Sequence, residues 1–150
     1  MKIGDICRRP VIAIDDAMDI PAAAQLMREH HVGFLVVHKS GDELRRPIGV
    51  LTDRDIVIEV IAKKVDPVSL TVDDLMSRQP LIASDSEEMA DVLQAMRIAG
   101  VRRVPVVDGR GALAGIFAID DAFDLITGFM CDITGSVKSE QRQERRSRAG

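Results

Sequence analysis

Gly49-Val50-Leu51-Thr52-Asp53-Arg54-Asp55 lies between the apolar residues Ile48-Gly49-Val50-Leu51, which it overlaps, and the apolar run Ile56-Val57-Ile58, so a strand here turns directly into a helix. The hydroxyl of Thr52 and the carboxylate of Asp55, three residues apart at a helix start, can converge on one point. That point lies beside free backbone N–H groups and the positive end of the helix dipole. Sugar hydroxyls and a phosphate suit it. The same Thr-x-x-Asp spacing also approximates a capping box, whose only task is to begin a helix. On the tetrad alone both readings stand.

Working outward, the chain is a degenerate tandem repeat, and a repeat settles architecture before any single element does. Met27-Arg28 recurs as Met96-Arg97, and Val32-Gly33-Phe34-Leu35-Val36-Val37 lies over Val101-Arg102-Arg103-Val104-Pro105-Val106. After a hairpin loop that is longer in the first copy, the 49–55 stretch lies over Gly115-Ile116-Phe117-Ala118-Ile119-Asp120-Asp121. Pro10-Val11-Ile12-Ala13 repeats as Pro80-Leu81-Ile82-Ala83. Each copy reads as a short strand, an amphipathic helix, two strands joined by a hairpin, and a second helix.

Local chemistry supports those elements. Ala22, Ala23, Leu26 and Met27 recur at helical spacing behind Pro21, which a first turn tolerates. In the second copy Met89, Val92, Leu93 and Met96 form the apolar set, and Asp85 with Glu88 is expected to cap it. Leu35-Val36-Val37 and Val104-Pro105-Val106-Val107 read as strands, each followed by a glycine-bearing turn. Pro105 lacks a donor, so it belongs at an edge or where the sheet opens. Lys63-Lys64-Val65-Asp66-Pro67 reads as a linker, and Thr71 as the cap of a short helix over 72–76.

A length of 150 residues implies one domain, and each half alone would be marginal, so the two copies are expected to share a core. With 46% hydrophobic residues and a net charge of −4 the chain reads as globular. No apolar run reaches membrane-spanning length and no signal-peptide core opens the chain, so a cytoplasmic protein with no membrane partner is expected. Cys7 and Cys131 stand in no CxxC spacing and read as free buried thiols. His30, His31 and His38 have no Cys or carboxylate at ligand spacing, so no metal site is expected. Gly109-Arg110-Gly111-Ala112-Leu113-Ala114 nominally fits a dinucleotide fingerprint, but a strand follows it where a helix is required, so it reads as a hairpin turn. No nucleophile stands with an evident base, and no catalytic activity is expected.

At these residues the chain resembles a stand-alone pair of CBS domains (cystathionine-β-synthase-type repeats, a Bateman module) over about residues 3–130. The carriers are 49–55, similar to the family's Gly-h-h-Thr-x-x-Asp ribose motif, and Gly100-Val101-Arg102-Arg103-Val104-Pro105-Val106-Val107-Asp108, similar to its ligand-facing strand. The resemblance implies an α/β (α+β) fold, a tandem CBS-domain pair with two β-α-β-β-α repeats sharing one core. It divides the chain into a first repeat over 1–66, a second over 67–130 and a charged, flexible tail over 131–150.

It also implies a site. Within the Thr52-Asp53-Arg54-Asp55 tetrad, Asp55 would accept from the ribose 2′- and 3′-hydroxyls, and Thr52 would bond the ribose or first phosphate. Each charge-assisted bond contributes roughly 1.5–3 kcal/mol. Arg102 and Arg103 would reach phosphates with forked guanidinium donors. The base would lie near Ile14, Val32, Gly33, Phe34 and Leu35, held by aliphatic walls and backbone amides because the chain has no Trp or Tyr. In the second copy Asp121 matches Asp55, but Ala118 replaces Thr52 and Ile119 replaces Asp53, so one good and one degraded site are expected.

The second helices are apolar round most of their circumference, which calls for burial on two sides. The family pairs modules through these helices, and a homodimer is expected. From Ser136 on, the chain carries Lys138, Arg142, Arg145, Arg146 and Arg148 against Glu140 and Glu144, with hardly an apolar residue. The expected function is a regulatory module, without a required cofactor, that binds AMP, ADP, ATP or S-adenosylmethionine between its repeats and signals to a regulated protein. The alternative is a nucleic-acid-associated protein acting through the arginine-rich tail.

Overall fold

A computed structural model of the chain describes residues 1–148, apart from the side chain of Ser147; residues 149 and 150, the end of the charged tail, lie outside the described residues. The mixed α/β fold holds, with two small sheets and one β-α-β-β-α sequence in each copy. In the first, β1 (Ala13–Asp15) runs parallel to β2 (Phe34–His38), as a crossover through a helix requires. That helix, α2 (Ile20–His30), starts where Asp19 Oδ1 accepts from Ala22 N at 2.8 Å and ends on His31 in the left-handed region. Ile20, Ala23 and Met27 face the core at helical spacing. β2 then pairs antiparallel with β3 (Pro47–Thr52), in a register that sets Phe34 opposite Thr52.

The second copy repeats this with β5 (Ala83–Ser84), α5 (Met89–Ala99), β6 (Arg103–Val107) and β7 (Leu113–Ala118). α5 buries Val92 and Met96 and stops at Gly100, whose φ of 68° is one that glycine adopts without strain. The expected Asp85–Glu88 cap is not made. Glu88 is the N-cap residue but caps nothing with its side chain. The amino-terminal arm occupies that helix start: Gly4 N donates to Asp85 O at 2.9 Å, and Lys2 Nζ pairs with the Glu88 carboxylate at 2.8 Å. Lys2, and after it the amino-terminal ammonium of Met1, hold the Glu88 carboxyl down at about 2. Pro105 lies in the central strand of its sheet, not at an edge, one residue before the register where β5 pairs with β6 (Ala83 opposite Val106). Its missing donor therefore falls where the sheet is open on one side.

Two short arms cross between the copies. α1 (Ile3–Ile6) opens the first repeat, but the arm it belongs to bonds to the second, through Ile3 N to Glu87 O and, just beyond the helix, Arg8 N to Ile116 O. α4 (Val72–Leu75) opens the second repeat behind its N-cap residue Thr71, whose N and Oγ1 donate to Asp74 Oδ2 at 2.9 and 2.8 Å, but it buries Val72 in the first core, along with Met76 just beyond it. β4 (Ser77–Arg78) then adds to the edge of β3. The repeat is exact enough that each arm lies against an equivalent glycine. A Cβ on Gly49 would strike the sulfur of Met76, and a Cβ on Gly115 would strike the sulfur of Cys7. The glycine that opens the 49–55 stretch is thus a place of close approach.

The second helix of the first copy begins as α3 (Asp53–Asp55) and continues as a π-helix over Ile56–Ile61, with Ala62 N bonded to Val57 O. Only Val60 of that segment is buried. Its counterpart, α6 (Ile119–Arg148), is a single helix of 30 residues, so the charged segment is helical through Arg148. Residues 1–117 form one compact unit, and the chain from Ala118 onward forms a second. Cys7 and Cys131 are both free, but the expectation that both are buried fails. Cys131 is exposed on α6 and Cys7 is half-buried. Among the described residues no helix is long and apolar enough to cross a membrane.

Candidate ligand-binding cleft

Thr52 and Asp55 form a complete capping box. Asp55 N donates to Thr52 Oγ1 at 3.1 Å, while Thr52 N and Thr52 Oγ1 donate to Asp55 Oδ2 at 2.9 and 2.7 Å. Both bonds that the Asp55 side chain accepts fall on one carboxylate oxygen. Asp55 Oδ1 has no hydrogen-bond partner among the described residues, and the residue is half-buried. The cap and a ligand contact are therefore compatible, because the cap orients the carboxylate through Oδ2 and leaves Oδ1 as an acceptor.

That carboxylate lines a cleft of about 600 Å³ within residues 1–117. One wall is Phe34, Val50, Thr52, Arg54 and Asp55. The opposite wall, from the second repeat, is Ala99, Gly100, Val101, Arg102 and Arg103, where α5 ends and β6 starts. The stretch Ser77-Arg78-Gln79-Pro80-Leu81 closes one side. The sequence thus folds Thr52 and Asp55 into the same cleft as Arg102 and Arg103, although some 50 residues separate the pairs.

Other residues of the sequence-based site lie elsewhere. Ile14 and Leu35 are core residues, 5% and 0% exposed. Val32 and Gly33 are half-buried and are not among the cleft's lining residues. Gly33 instead meets Asp53: Asp53 N donates to Gly33 O at 3.1 Å, and a Cβ on Gly33 would lie 2.5 Å from Asp53 Oδ2. This contact locks the start of β2 against the start of α3, which places Phe34 and Thr52 side by side at the cleft. Asp121 lies in the second unit, where its Oδ2 accepts from Ala118 N at 2.9 Å. That is half of the Thr52–Asp55 box, and the half without a hydroxyl.

Sequence reasoning missed two arginines. Arg54 stood inside the tetrad but was read only as part of a helix start. Arg78 was hidden because β4 could not be recognised as a strand of the first sheet; its guanidinium is held by Asp73 Oδ2 at 2.9 Å. The cleft thus gathers Arg54, Arg102 and Arg103, together with Arg78 already paired to Asp73, around a single lining carboxylate, an environment suited to anions. Among the described residues no group of three or more His, Cys, Asp or Glu side chains could hold a metal ion.

The model of the CBS domain family matches residues 3–62 and 72–128. Hypoxic response protein 1 of Mycobacterium tuberculosis is 36% identical over 103 residues, which cover 69% of this chain and 70% of that protein. A crystal structure of Hypoxic Response Protein I with two coordinated zinc ions matches with a TM-score of 0.72 at 33% identity, covering 83% of this chain and 98% of that one. The CBS domain pair of protein MJ0100, in complex with 5′-methylthioadenosine and S-adenosyl-L-methionine, matches with a TM-score of 0.72 at 26% identity, over 85% and 97% of the two chains. CBS domain protein PAE2072 from Pyrobaculum aerophilum, complexed with AMP, has a TM-score of 0.73 at 23% identity over 81% and 89%, a likeness of fold alone.

Proposed function

We propose that this chain, which belongs to the CBS domain family, is a regulatory module that binds an adenosyl ligand in the cleft between its repeats and has no catalysis of its own. The observation that carries this reading is the convergence of Asp55 and Thr52 with Arg102 and Arg103 on one cleft. Asp55 Oδ1 would accept from a ribose hydroxyl. Phe34, Val50, Leu81 and Val101 would supply the apolar walls for a base, over a floor supported by Ile14 and Leu35. Val32, Gly33 and Asp53 would hold the backbone that frames it.

Arg54, Arg102 and Arg103 favour phosphorylated ligands, AMP, ADP or ATP, over the positively charged sulfonium of S-adenosylmethionine. The complex of the MJ0100 CBS domain pair with 5′-methylthioadenosine and S-adenosyl-L-methionine supports the ligand class. Asp121 would mark a weaker second site, since Ala118 offers no hydroxyl. We assign the first repeat to 1–66, the second to 67–130 and the charged extension to 131–150.

Ligand that bridges the repeats would favour one relative arrangement of them, and a regulated protein would read that arrangement. Val57, Ile58 and Ile61 on the π-helix are exposed, as is an apolar row on α6, and a second copy would cover them in a homodimer. A thermal-shift screen with adenosine, AMP, ADP, ATP and S-adenosylmethionine tests the reading. A bound ligand at 100 times its dissociation constant stabilises by roughly 2.7 kcal/mol. Phosphorylated ligands are expected to give the largest shifts, and no shift with any of the five would contradict the assignment.

A further inference from the structure

α6 outlasts the family match, which ends at residue 128, by about five turns. From Ser136 to Arg148 it carries five bases against two acids, and no apolar side chain after Val137. At about 100° per residue all five bases fall within an arc of about 160°, while Glu140 and Glu144 lie outside it. Lys138 and Arg142, and Arg142 and Arg146, are like-charge neighbours at i,i+4, an arrangement that destabilises a helix by itself. The helix dipole favours bases in the last turn alone, which leaves Lys138 and Arg142 without that reason. Among the described residues Lys138, Arg142 and Arg145 make no ion pair or side-chain hydrogen bond. With Gln141 they line a hollow of about 160 Å³ on the helix surface, room for a phosphodiester group.

The chemistry of this face selects its occupant. Outside the segment acids outnumber bases, so a polyanion is drawn to the end of α6 and repelled elsewhere. Four of the five bases are arginines, whose forked donors match paired phosphate oxygens. Residues 138–148 include no aromatic ring on which single-stranded bases could stack and no apolar face to sink into a bilayer. Bases spread over so wide an arc touch a concave partner on both sides. The major groove of duplex DNA, about 12 Å across, admits a helix of about 10–12 Å, whereas that of duplex RNA is too deep and narrow. The exposed apolar row Phe123, Ile126, Met130, Ile133 and Val137 lies about 100° round the helix from the centre of the basic arc, so covering the row would leave the bases exposed. We propose that residues 138–148 of α6 form a docking arm for duplex DNA, which holds the phosphate backbone without reading its sequence.

Fluorescence anisotropy of the full chain with a labelled 20-base-pair duplex, over about 50–200 mM salt, tests the proposal. A log–log slope of about −4 is expected for four to five neutralised phosphates, and with it a loss of affinity of about 10²–10³-fold across that range. Arg142→Gln with Arg145→Gln should make the slope shallower by about two, at unchanged helicity by circular dichroism. Lys63→Gln with Lys64→Gln, the same charge change away from α6, should leave the slope as in the parent. No measurable binding at the lowest salt, a double arginine variant that binds as the parent does, or a lysine variant that loses as much would overturn the proposal. So would equal or tighter binding, in the same buffer, to the single strand, to duplex RNA, to polyglutamate or to phosphatidylglycerol vesicles, each of which would identify a different partner. AMP is absent from these titrations, so their failure leaves the adenosyl reading intact, and failure of that reading leaves the arm intact.

Discussion

Asp55 carries two tasks on two oxygens, and substitution should separate them. Asp55→Ala removes the half of the capping box that Asp55 Oδ2 supplies, while Thr52 Oγ1 still accepts from the backbone N of residue 55, and it is expected to cost about 0.5–1.5 kcal/mol in denaturant unfolding without ligand. Ligand effects in that variant must be read against its own baseline. Asp16 is the other consequential carboxylate. It is 2% exposed, at the end of β1, where it accepts from Lys39 Nζ at 2.7 Å and Ser40 N at 2.9 Å, and so pins the β2–β3 loop. The hydrogen bond from Lys39 is the main cause holding its carboxyl below the ordinary range, against the opposing effect of burial. A depressed carboxyl stabilises the fold above its unfolded value, near 3.9, and loses that contribution as pH falls through the folded value. Asp16→Asn should lower the melting temperature at pH 7 and flatten the loss of stability below about pH 4; an acid limb as steep as the parent's would contradict this. Thr52, Asp55, Arg102 and Arg103 were legible in the sequence because each sits in a short pattern with a chemical meaning. Asp16 was not, since nothing local announces that a carboxylate will be buried against a loop 23 residues on.

Helices α2 and α5 and strands β2 and β6 were read from periodicity, which is local, and they stand where expected, whereas α1 and β4 had no such signal and α6 runs past the expected Met130 to Arg148. The crossing of the two arms was not readable, because it depends on which sheet edge a four-residue helix reaches. Gly49 and Gly115 record that crossing, and one chemical change should therefore have opposite effects along the chain. Gly49→Ala forces Met76 and the Ser77 carbonyl, 3.0 Å from the new Cβ, to move, and should destabilise by about 1–3 kcal/mol. Gly128→Ala and Gly135→Ala enter open space inside a helix, and each should stabilise by about 0.8–1 kcal/mol. Urea midpoints of the three variants compare them directly, and a stabilised Gly49→Ala would show that the arm does not pack there. The Asp85–Glu88 cap failed for the same reason: a pattern sufficient for a cap was outcompeted by an arm from the far end of the chain.

For the whole molecule, the proposed homodimer rests on the apolar residues left exposed on the π-helix and on α6. Ile58→Glu or Phe123→Glu should give monomers or aggregates in light scattering, since a dimer would have to desolvate the new charge; an unchanged dimer would remove those residues from the interface. The central claim is narrower, that one cleft holds an adenosyl ligand through Asp55 on one repeat and arginines on the other. Its phosphate half can be tested by replacing Arg102 and Arg103 with Gln, which should weaken AMP much more than adenosine. Its most direct test is calorimetric titration of AMP into the parent chain, Asp55→Ala and Asp121→Ala under identical conditions. The account expects Asp55→Ala to lose most of the binding, by ten-fold or more in affinity for the roughly 1.5–3 kcal/mol of a charged hydrogen bond, and Asp121→Ala to stay near the parent. Equal losses in the two variants, or binding untouched by Asp55→Ala, would contradict it.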